Sequence, residues 1–307
     1  MIKIAIIGGS GLYDVEEFKD RELLDLSTPW GKPSDEILKT TYNNKEVYFL
    51  PRHGRGHFIS PSNINFRANI DAFKQLAVTD IISVSAVGSL KENLEPGKFV
   101  IVDQFIDRTF ARNKTFFDEE IVAHVSMAKP VSTQLVNIII SSNINGLQIH
   151  KKGTYLAMEG PHFSTLAESE LYRSWNCDVI GMTNMPEAKL AREAEIAYAT
   201  VAMVTDYDCW HPDHEDVTVE QIINVLSKNS NNAKFLIKNI FKKKLTPTIA
   251  INLHRPLRQF VVFCSQKETS TPKSKINNPP HTTIGSQGKN TVRSMACISR
   301  IIDLYKV

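Results

Sequence analysis

Over most of the chain, short apolar runs alternate with stretches whose apolar positions recur every three or four residues. The first pattern suits buried strands and the second suits helices with one buried face, so the alternation predicts an α/β sheet. Strands are expected over residues 2–7, 47–50, 81–85, 99–102, 155–158, 179–182 and 197–205. Helices are expected over 62–76, 131–142, 167–175, 186–195 and 219–241. The fourth of these opens on Pro186, tolerated where no N–H is needed, and the fifth ends in lysines that suit its dipole. Residues 265–290, rich in Lys, Ser, Thr, Asn and Pro, lack apolar periodicity and read as poorly ordered. The apolar segment 295–304 reads either as a terminal helix or as sequence with no structural role.

The polar and glycine-rich groups fall at the carboxyl ends of the predicted strands, where open α/β sheets bind ligands. The most informative segment is Met203-Val204-Thr205-Asp206-Tyr207-Asp208-Cys209-Trp210-His211. If extended geometry persists beyond the strand, Asp206 and Asp208 face the same way, and a carboxyl with a raised pKa can protonate a leaving group. The other reading is a turn in which both carboxylates cap backbone amides. Gly8-Gly9-Ser10-Gly11 is an anion cradle, a tight turn or a dinucleotide loop lacking its third glycine. Arg52-His53-Gly54 sets a fixed cation beside an imidazole, useful for phosphate or simply a surface pair. Ser85-Ala86-Val87-Gly88-Ser89 is a second source of hydroxyls and amides, or a plain strand exit. Glu159-Gly160-Pro161-His162-Phe163 offers a carboxylate, a sharp turn and a ring that either stacks on a base or fills the core.

Composition narrows these readings. The 307 residues are 42% hydrophobic and 22% charged, enough for a sizeable core. No run approaches the length of a membrane span, and the apolar N-terminus runs into a glycine turn as a first strand does. Cys177, Cys209, Cys264 and Cys297 show no CxxC spacing, which fits a reducing cytoplasm and argues against structural zinc. Residues 264–307 carry seven Lys/Arg against two Asp/Glu, so the net charge of +3 leaves about −2 for residues 1–263. The body is not a basic nucleic-acid binder, and the charge shift marks a boundary.

Taken in order, the segments beginning Ile4-Ala5-Ile6-Ile7-Gly8-Gly9-Ser10-Gly11-Leu12, Arg52-His53-Gly54, Ser85-Ala86-Val87-Gly88-Ser89 and Asp103-Gln104-Phe105-Ile106-Asp107-Arg108-Thr109 match one family. Glu159-Gly160-Pro161, Gly181-Met182-Thr183-Asn184-Met185-Pro186-Glu187 and Thr205 to Trp210 continue the match. Together they resemble the 5′-methylthioadenosine phosphorylase branch of the trimeric purine nucleoside phosphorylases, across residues 2–245. The resemblance implies a single α/β domain over residues 1–263, with a central mixed twisted sheet flanked by helices, and an atypical basic tail over 264–307. It implies reversible phosphorolysis of methylthioadenosine to adenine and 5-methylthioribose 1-phosphate. Phosphate is then a co-substrate, no cofactor or metal is needed, and the partners are small molecules, with no nucleic acid and no membrane.

By the same resemblance Ser10, Arg52, His53, Ser85, Ala86 and Thr183 hold phosphate. The sugar lies near the Met182 backbone, Phe163 and Ile180 flank the base, and Thr205, Asp206 and Asp208 face the purine edge. Val219 and Ile222 line the methylthio pocket, and His124 serves a neighbouring subunit's site in a homotrimer. The chemistry agrees: breaking an N-glycosidic bond makes an oxocarbenium-like sugar and an anionic purine, which a protonated Asp206 at N7 neutralises. An asparagine there suits a 6-oxopurine better, so aspartate favours adenine. His211-Pro212-Asp213-His214-Glu215 reads as a polar loop over the site rather than a metal cluster.

The chain departs from the family near its C-terminus. His254-Arg255-Pro256-Leu257 followed by Phe260-Val261-Val262-Phe263 keeps a trace of the family's closing segment, with Phe263 a candidate for a neighbour's methylthio pocket. Pro256 inside a helix would cost roughly 3 kcal/mol. Three rival readings stand beside this one: a same-fold enzyme for 6-oxopurine nucleosides or methylthioinosine, a nucleoside-binding protein that has lost catalysis through poor closure, and a dinucleotide-binding oxidoreductase built on residues 8–11.

Overall fold

The computed structural model describes residues 3–9, 19–118, 121–212, 219–243 and 260–264. The strands are β1 (Ile4–Gly8), β2 (Lys19–Leu24), β3 (Ile37–Tyr42), β4 (Lys45–Pro51), β5 (Asp80–Ser89), β6 (Phe99–Val102), β7 (Gln104–Asp107), β8 (Ile121–Val125), β9 (Ile149–His150), β10 (Thr154–Ala157), β11 (Val179–Gly181), β12 (Ala197–Asp206) and β13 (Phe260–Cys264). The α-helices are α1 (Phe66–Gln75), α2 (Thr133–Ser141), α3 (Leu166–Ser174), α4 (Asn184–Glu193) and α5 (Val219–Lys242). Two compact units are distinguished, Met1–Phe116 with Val125–Phe260, and Phe117–His124 with Val261–Val307. The smaller is represented by a two-stranded sheet of β8 and β13.

In the larger unit eleven strands among the described residues form one mixed sheet. Its path runs β2-β3-β4-β1-β5-β11-β10-β7, with β12, β6 and β9 branching from β5. The branch at β5 positions the functional site. Residues Asp80–Ser83 of β5 lie between β1 and β12, both parallel to it. At Gly88 and Ser89 the edge that β1 had occupied pairs antiparallel with β11, while β12 stays on the other edge as far as Gly88. A fork therefore opens between β1 and β11 along that edge of β5, and the polar ends of three strands meet there.

Apolar side chains of β1, β4, β5, β6 and β12 pack with α2 and α5 in the main core. The 24-residue α5 contributes Ala233, Leu236, Ile237, Ile240 and Phe241, spaced at three and four residues so that they share one face. Each large side chain of that stripe contributes about 1.5–3 kcal/mol by leaving water. Phe241→Ala, which leaves a cavity, would cost roughly 3–5 kcal/mol. Asn229 of α5 donates from Nδ2 to the Val204 carbonyl at 2.9 Å, tying the helix to β12 just before the site.

The expected strands and helices are present, with shifted ends. Asn65 accepts the Ala68 amide and starts α1 there, so the helix expected from 62 is preceded by a 3-10 turn, Pro61–Asn63. The strand expected over 81–85 continues to Ser89, because residues with turn chemistry still find partners on β11 and β12. β2, β3, β7, β8, β9 and β13 fall outside the expected set, and the apolar run from Phe260, read with the family's closing segment, is a strand. The sequence of β2, Lys-Asp-Arg-Glu-Leu-Leu, has little alternation because the strand lies at a sheet edge, paired on one side with β3. The expected polar loop at 211–215 extends beyond the described residues, as do 265–307 and the segment His254–Leu257.

Candidate active site

A cavity of about 470 Å³ lies in the fork of the sheet, a size that suits a small ligand. Arg52, His53, Ser85, Ala86, Thr183, Phe163, Ile180, Met182, Thr205, Asp206 and Asp208 all line it. Eleven side chains distant in sequence are thus brought together. Gly9 also reaches the cavity, while its neighbour Ser10 lies outside the described residues. Val219 and Ile222 fall in the first turn of α5, and their side chains are outside the described set. Leu226 and Ser230 of that helix do line the cavity. His124 is exposed on β8, in the smaller unit.

Asp206 and Asp208 do not reach the cavity by extended alternation. A bulge between Val204 and Asp206 leaves Thr205 as an extra residue against β5. Met203 and Thr205 share a face by ordinary alternation, and the bulge re-aims Asp206 onto that same side. Asp208 then takes a left-handed backbone, φ 56°, and donates its amide to Asp206 Oδ1 at 2.8 Å. The capping turn and the paired-carboxylate reading are therefore both present, for the turn is what holds the pair.

Burial raises the Asp206 pKa, and Asp208 adds to the rise, while hydrogen bonds from Thr205 and the Asp208 amide moderate it. Burial also raises Asp208, moderated by the hydroxyls of Ser169 and Ser164. The space beside the pair is reserved by Gly88. A Cβ there would stand 3.0 Å from Asp206 Oδ1, 3.1 Å from Ile180 Cγ2 and 3.3 Å from Asp208 Cβ. Phe163 lines the same cavity and is 72% exposed, so its ring is available to a ligand rather than spent on the core.

Arg52 departs from the picture of a free phosphate-binding cation. It is buried, and its Nε and Nη2 meet Glu187 Oε2 and Oε1, each at 3.0 Å. Nη2 also approaches the Ile7 carbonyl at 3.1 Å and Ser83 Oγ at 2.6 Å, and Nη1 donates to the Val84 carbonyl at 2.9 Å. One N–H on Nη1 is left for a ligand among these contacts. His53 is fixed by Nδ1 against the Ile59 carbonyl at 2.8 Å and stacks on His57 with centroids 4.1 Å apart. Burial lowers its pKa to about 4, with Arg52, His57 and Arg112 acting in the same sense and the Ile59 carbonyl against it.

Three further residues shape the site. Glu187 neutralises Arg52 and accepts from Tyr198 Oη at 2.8 Å. Arg112 donates to the carbonyls of Met158, Glu159, Met182 and Met185, and its Nε meets Glu159 Oε1 at 3.2 Å. It thereby joins the turn that carries Pro161 and Phe163 to the segment that carries Met182 and Thr183. Tyr155 Oη lies 3.5 Å from Ser85 Oγ, and a Cβ on Gly181 would fall 2.0 Å from that hydroxyl oxygen. Glu187 sits one residue after a helix-opening proline, where an acid reads as a dipole complement, and Arg112 lies in a polar stretch. Neither carries a sequence signal that distinguishes it from a surface charge.

Residues 3–242 match the model of the Phosphorylase superfamily. The S-methyl-5′-thioadenosine phosphorylase of Rhodospirillum rubrum is 59% identical over 236 residues, covering 76% of this chain and 80% of that one. The chain belongs to the S-methyl-5′-thioadenosine phosphorylase family. Its counterpart in Synechocystis is 50% identical over 278 residues, covering 89% of this chain and 85% of the relative. Among solved structures, a methylthioadenosine phosphorylase from an antarctic soil metagenomic library superposes with a TM-score of 0.75 at 49% identity, covering 81% and 90% of the two chains. The Schistosoma mansoni methylthioadenosine phosphorylase in complex with adenine gives 0.77 at 35% identity, covering 82% and 96%. The fold is accordingly that of the nucleoside phosphorylases, a mixed sheet flanked by helices.

Proposed function

We propose that this chain catalyses the reversible phosphorolysis of S-methyl-5′-thioadenosine to adenine and 5-methylthio-α-D-ribose 1-phosphate. The observation that carries the reading is one cavity with two chemically different ends. A buried carboxyl pair with raised pKa values lies beside the reserved space at Gly88. Hydroxyls of Ser85 and Thr183, the remaining Arg52 N–H and His53 line the other part. The family membership supports the same assignment.

In this reading a phosphate oxygen attacks C1′ of the sugar while the C1′–N9 bond breaks and N9 keeps the electron pair. Asp206, whose carboxyl burial shifts toward the protonated form, gives its proton to N7 of the departing adenine, which neutralises the developing anion. Thr205 Oγ1 lies 3.2 Å from the Val87 carbonyl and 2.7 Å from Asp206 Oδ2. Its one proton can point to Val87 while Asp206 is neutral and turn to Oδ2 once Asp206 is ionised. Asp208 accepts from the exocyclic amino group of adenine. The Met182 segment, held by Arg112, supports the sugar, and Phe163 and Ile180 flank the base.

We further assign phosphorolysis to residues 1–263, with Ser10 completing the phosphate seat and Val219 and Ile222 the methylthio pocket. We also propose a cytoplasmic homotrimer in which His124 serves a neighbour's site, a reading that the family resemblance supports. No cofactor enters the scheme, and among the described residues no helix is long and apolar enough to cross a membrane. Specificity is tested by comparing methylthioadenosine, adenosine and inosine as substrates. Methylthioadenosine should give the highest kcat/KM and inosine the lowest, and equal turnover of inosine would refute the adenine assignment of Asp206. Sedimentation equilibrium of the full chain tests the trimer, which a monomer at micromolar concentration contradicts.

A further inference from the structure

We propose that Tyr155 is a positioning residue for phosphate: its buried phenol donates to Ser85 Oγ and leaves the Ser85 proton for a ligand oxygen. The inference rests on the assignment of phosphate to Ser85 and Thr183, and names the group that directs one of those hydroxyls.

The sheet brings these groups together. Ser83 and Ser85 lie two residues apart on β5, where the register against β12 runs unbroken from Asp80 to Val87, so their side chains share a face. Ser83 Oγ meets Arg52 Nη2 at 2.6 Å and accepts from Asn184 Nδ2 at 3.0 Å, which puts Arg52 and the start of α4 on that face. Tyr155 reaches it from β10, a strand held between β7 and β11. Its ring is fully buried and tilted against Phe105, with centroids 5.9 Å apart. The phenol passes directly against the Gly181 backbone, where a Cβ would fall 2.0 Å from Oη and 2.6 Å from Cζ. Only a glycine at 181 leaves room for that approach.

The placement of protons gives the contact a direction. A buried phenol needs an acceptor for its one proton, and Ser85 Oγ lies 3.5 Å from Oη. Ser85 in turn donates to the Ala86 carbonyl at 3.3 Å, so the donor between the two hydroxyls is Tyr155. Burial raises the phenol's pKa, with Ser85 and Thr183 acting against the rise, so the phenol keeps its proton at neutral pH. Both contacts of Ser85 are longer than the usual hydroxyl hydrogen bond of about 2.7–2.8 Å. A phosphate oxygen is a stronger acceptor than the neutral Ala86 carbonyl, and the Ser85 proton turns to it while Tyr155 goes on donating. Accepting from Tyr155 polarises the Ser85 hydroxyl and makes it the better donor.

Tyr155→Phe keeps the ring and removes the hydroxyl. Turnover by the full chain at saturating methylthioadenosine gives the KM for phosphate, and calorimetric titration with inorganic phosphate gives its Kd. Both should rise about three- to tenfold, the range for one lost hydrogen bond, while the KM for methylthioadenosine changes less than about twofold. In a Ser85→Ala background, where the phenol has no hydroxyl to act through, Tyr155→Phe should add no further loss. An unchanged phosphate Kd in Tyr155→Phe would overturn the proposal, as would an equal rise in both KM values or an additive loss in Ser85→Ala. Absence of phosphate binding by the unaltered chain would overturn it as well. If Tyr155→Phe weakens phosphate binding through Ser85 but the unaltered chain releases no adenine, the positioning role stands and the catalytic reading fails.

Discussion

Arg52 and Glu187 form a bidentate ion pair inside the molecule, with both contacts at 3.0 Å and side chains 2% and 0% exposed. The pair spans 135 positions of sequence and locks the end of β4 to α4 at the floor of the cavity. Buried pairs of this kind stabilise little on balance, but removing one partner strands the other's charge. Glu187→Ala should therefore cost about 3–5 kcal/mol. The double variant Arg52→Met with Glu187→Leu should cost clearly less than the two single variants added together. Denaturant midpoints of the four proteins check this, and strict additivity would show that the pair does not act as a unit.

His53 makes stability depend on pH. Its folded pKa, about 4, lies below the ordinary 6.5. Between those values the unfolded chain binds more protons, so its contribution is fully present above pH 6.5 and is lost as pH falls through about 4. The difference corresponds to about 3 kcal/mol. Unfolding free energies measured from pH 7 to pH 4 should decline, and His53→Gln should remove a visible part of that slope.

Asp206 works in the opposite sense for catalysis, since its acid form is the active one. Burial raises its pKa, and kcat/KM for methylthioadenosine should fall as pH rises through that raised value. Asp206→Asn should lower kcat by roughly 10²–10⁴. Thr205→Val, which removes the hydroxyl between Val87 and Asp206, should lower kcat by less and move the alkaline limb of the pH profile upward. A profile unmoved in both variants would remove Asp206 from the proton transfer.

Much of this site was legible in the sequence because strand ends carry their chemistry in short contiguous runs. Residues 52–53, 85–88, 181–183 and 205–208 each supply neighbouring groups to one cavity. The aim of Asp206 was not legible, for a bulge is a property of pairing between β5 and β12, and no local pattern signals it. Arg112 and Glu187 were illegible for a related reason. Arg112 meets carbonyls at least 46 positions away and Glu187 meets Arg52 across 135, so an isolated polar residue gave no hint that it was buried. The edge strand β2 escaped because charged edges lack the alternation that marks a half-buried strand.

Arg112 holds four backbone carbonyls with one planar fork, which a lysine cannot reproduce. Arg112→Lys should raise the KM for nucleoside about tenfold, the loss expected for one or two charged hydrogen bonds. The KM for phosphate should change much less. An equal rise in both would mean that the whole fold, rather than the sugar and base walls, had been disturbed.

Gly88→Ala places a methyl between Ile180 and the carboxyl pair. Thermal stability should change little beside the effect on adenine binding, which should weaken by at least tenfold, because 3.0–3.3 Å contacts leave no room for both. Adenine affinity measured by fluorescence or calorimetry checks this.

The central claim is that the two ends of one cavity act together on a methylthionucleoside. It is tested most directly by measuring adenine released from methylthioadenosine by the full chain, with and without phosphate, while 5-methylthioribose 1-phosphate is quantified in parallel. The account predicts equimolar adenine and sugar phosphate, with release dependent on phosphate and lost in Asp206→Asn. Release without phosphate, yielding free methylthioribose, or binding of the nucleoside with no release, would contradict it.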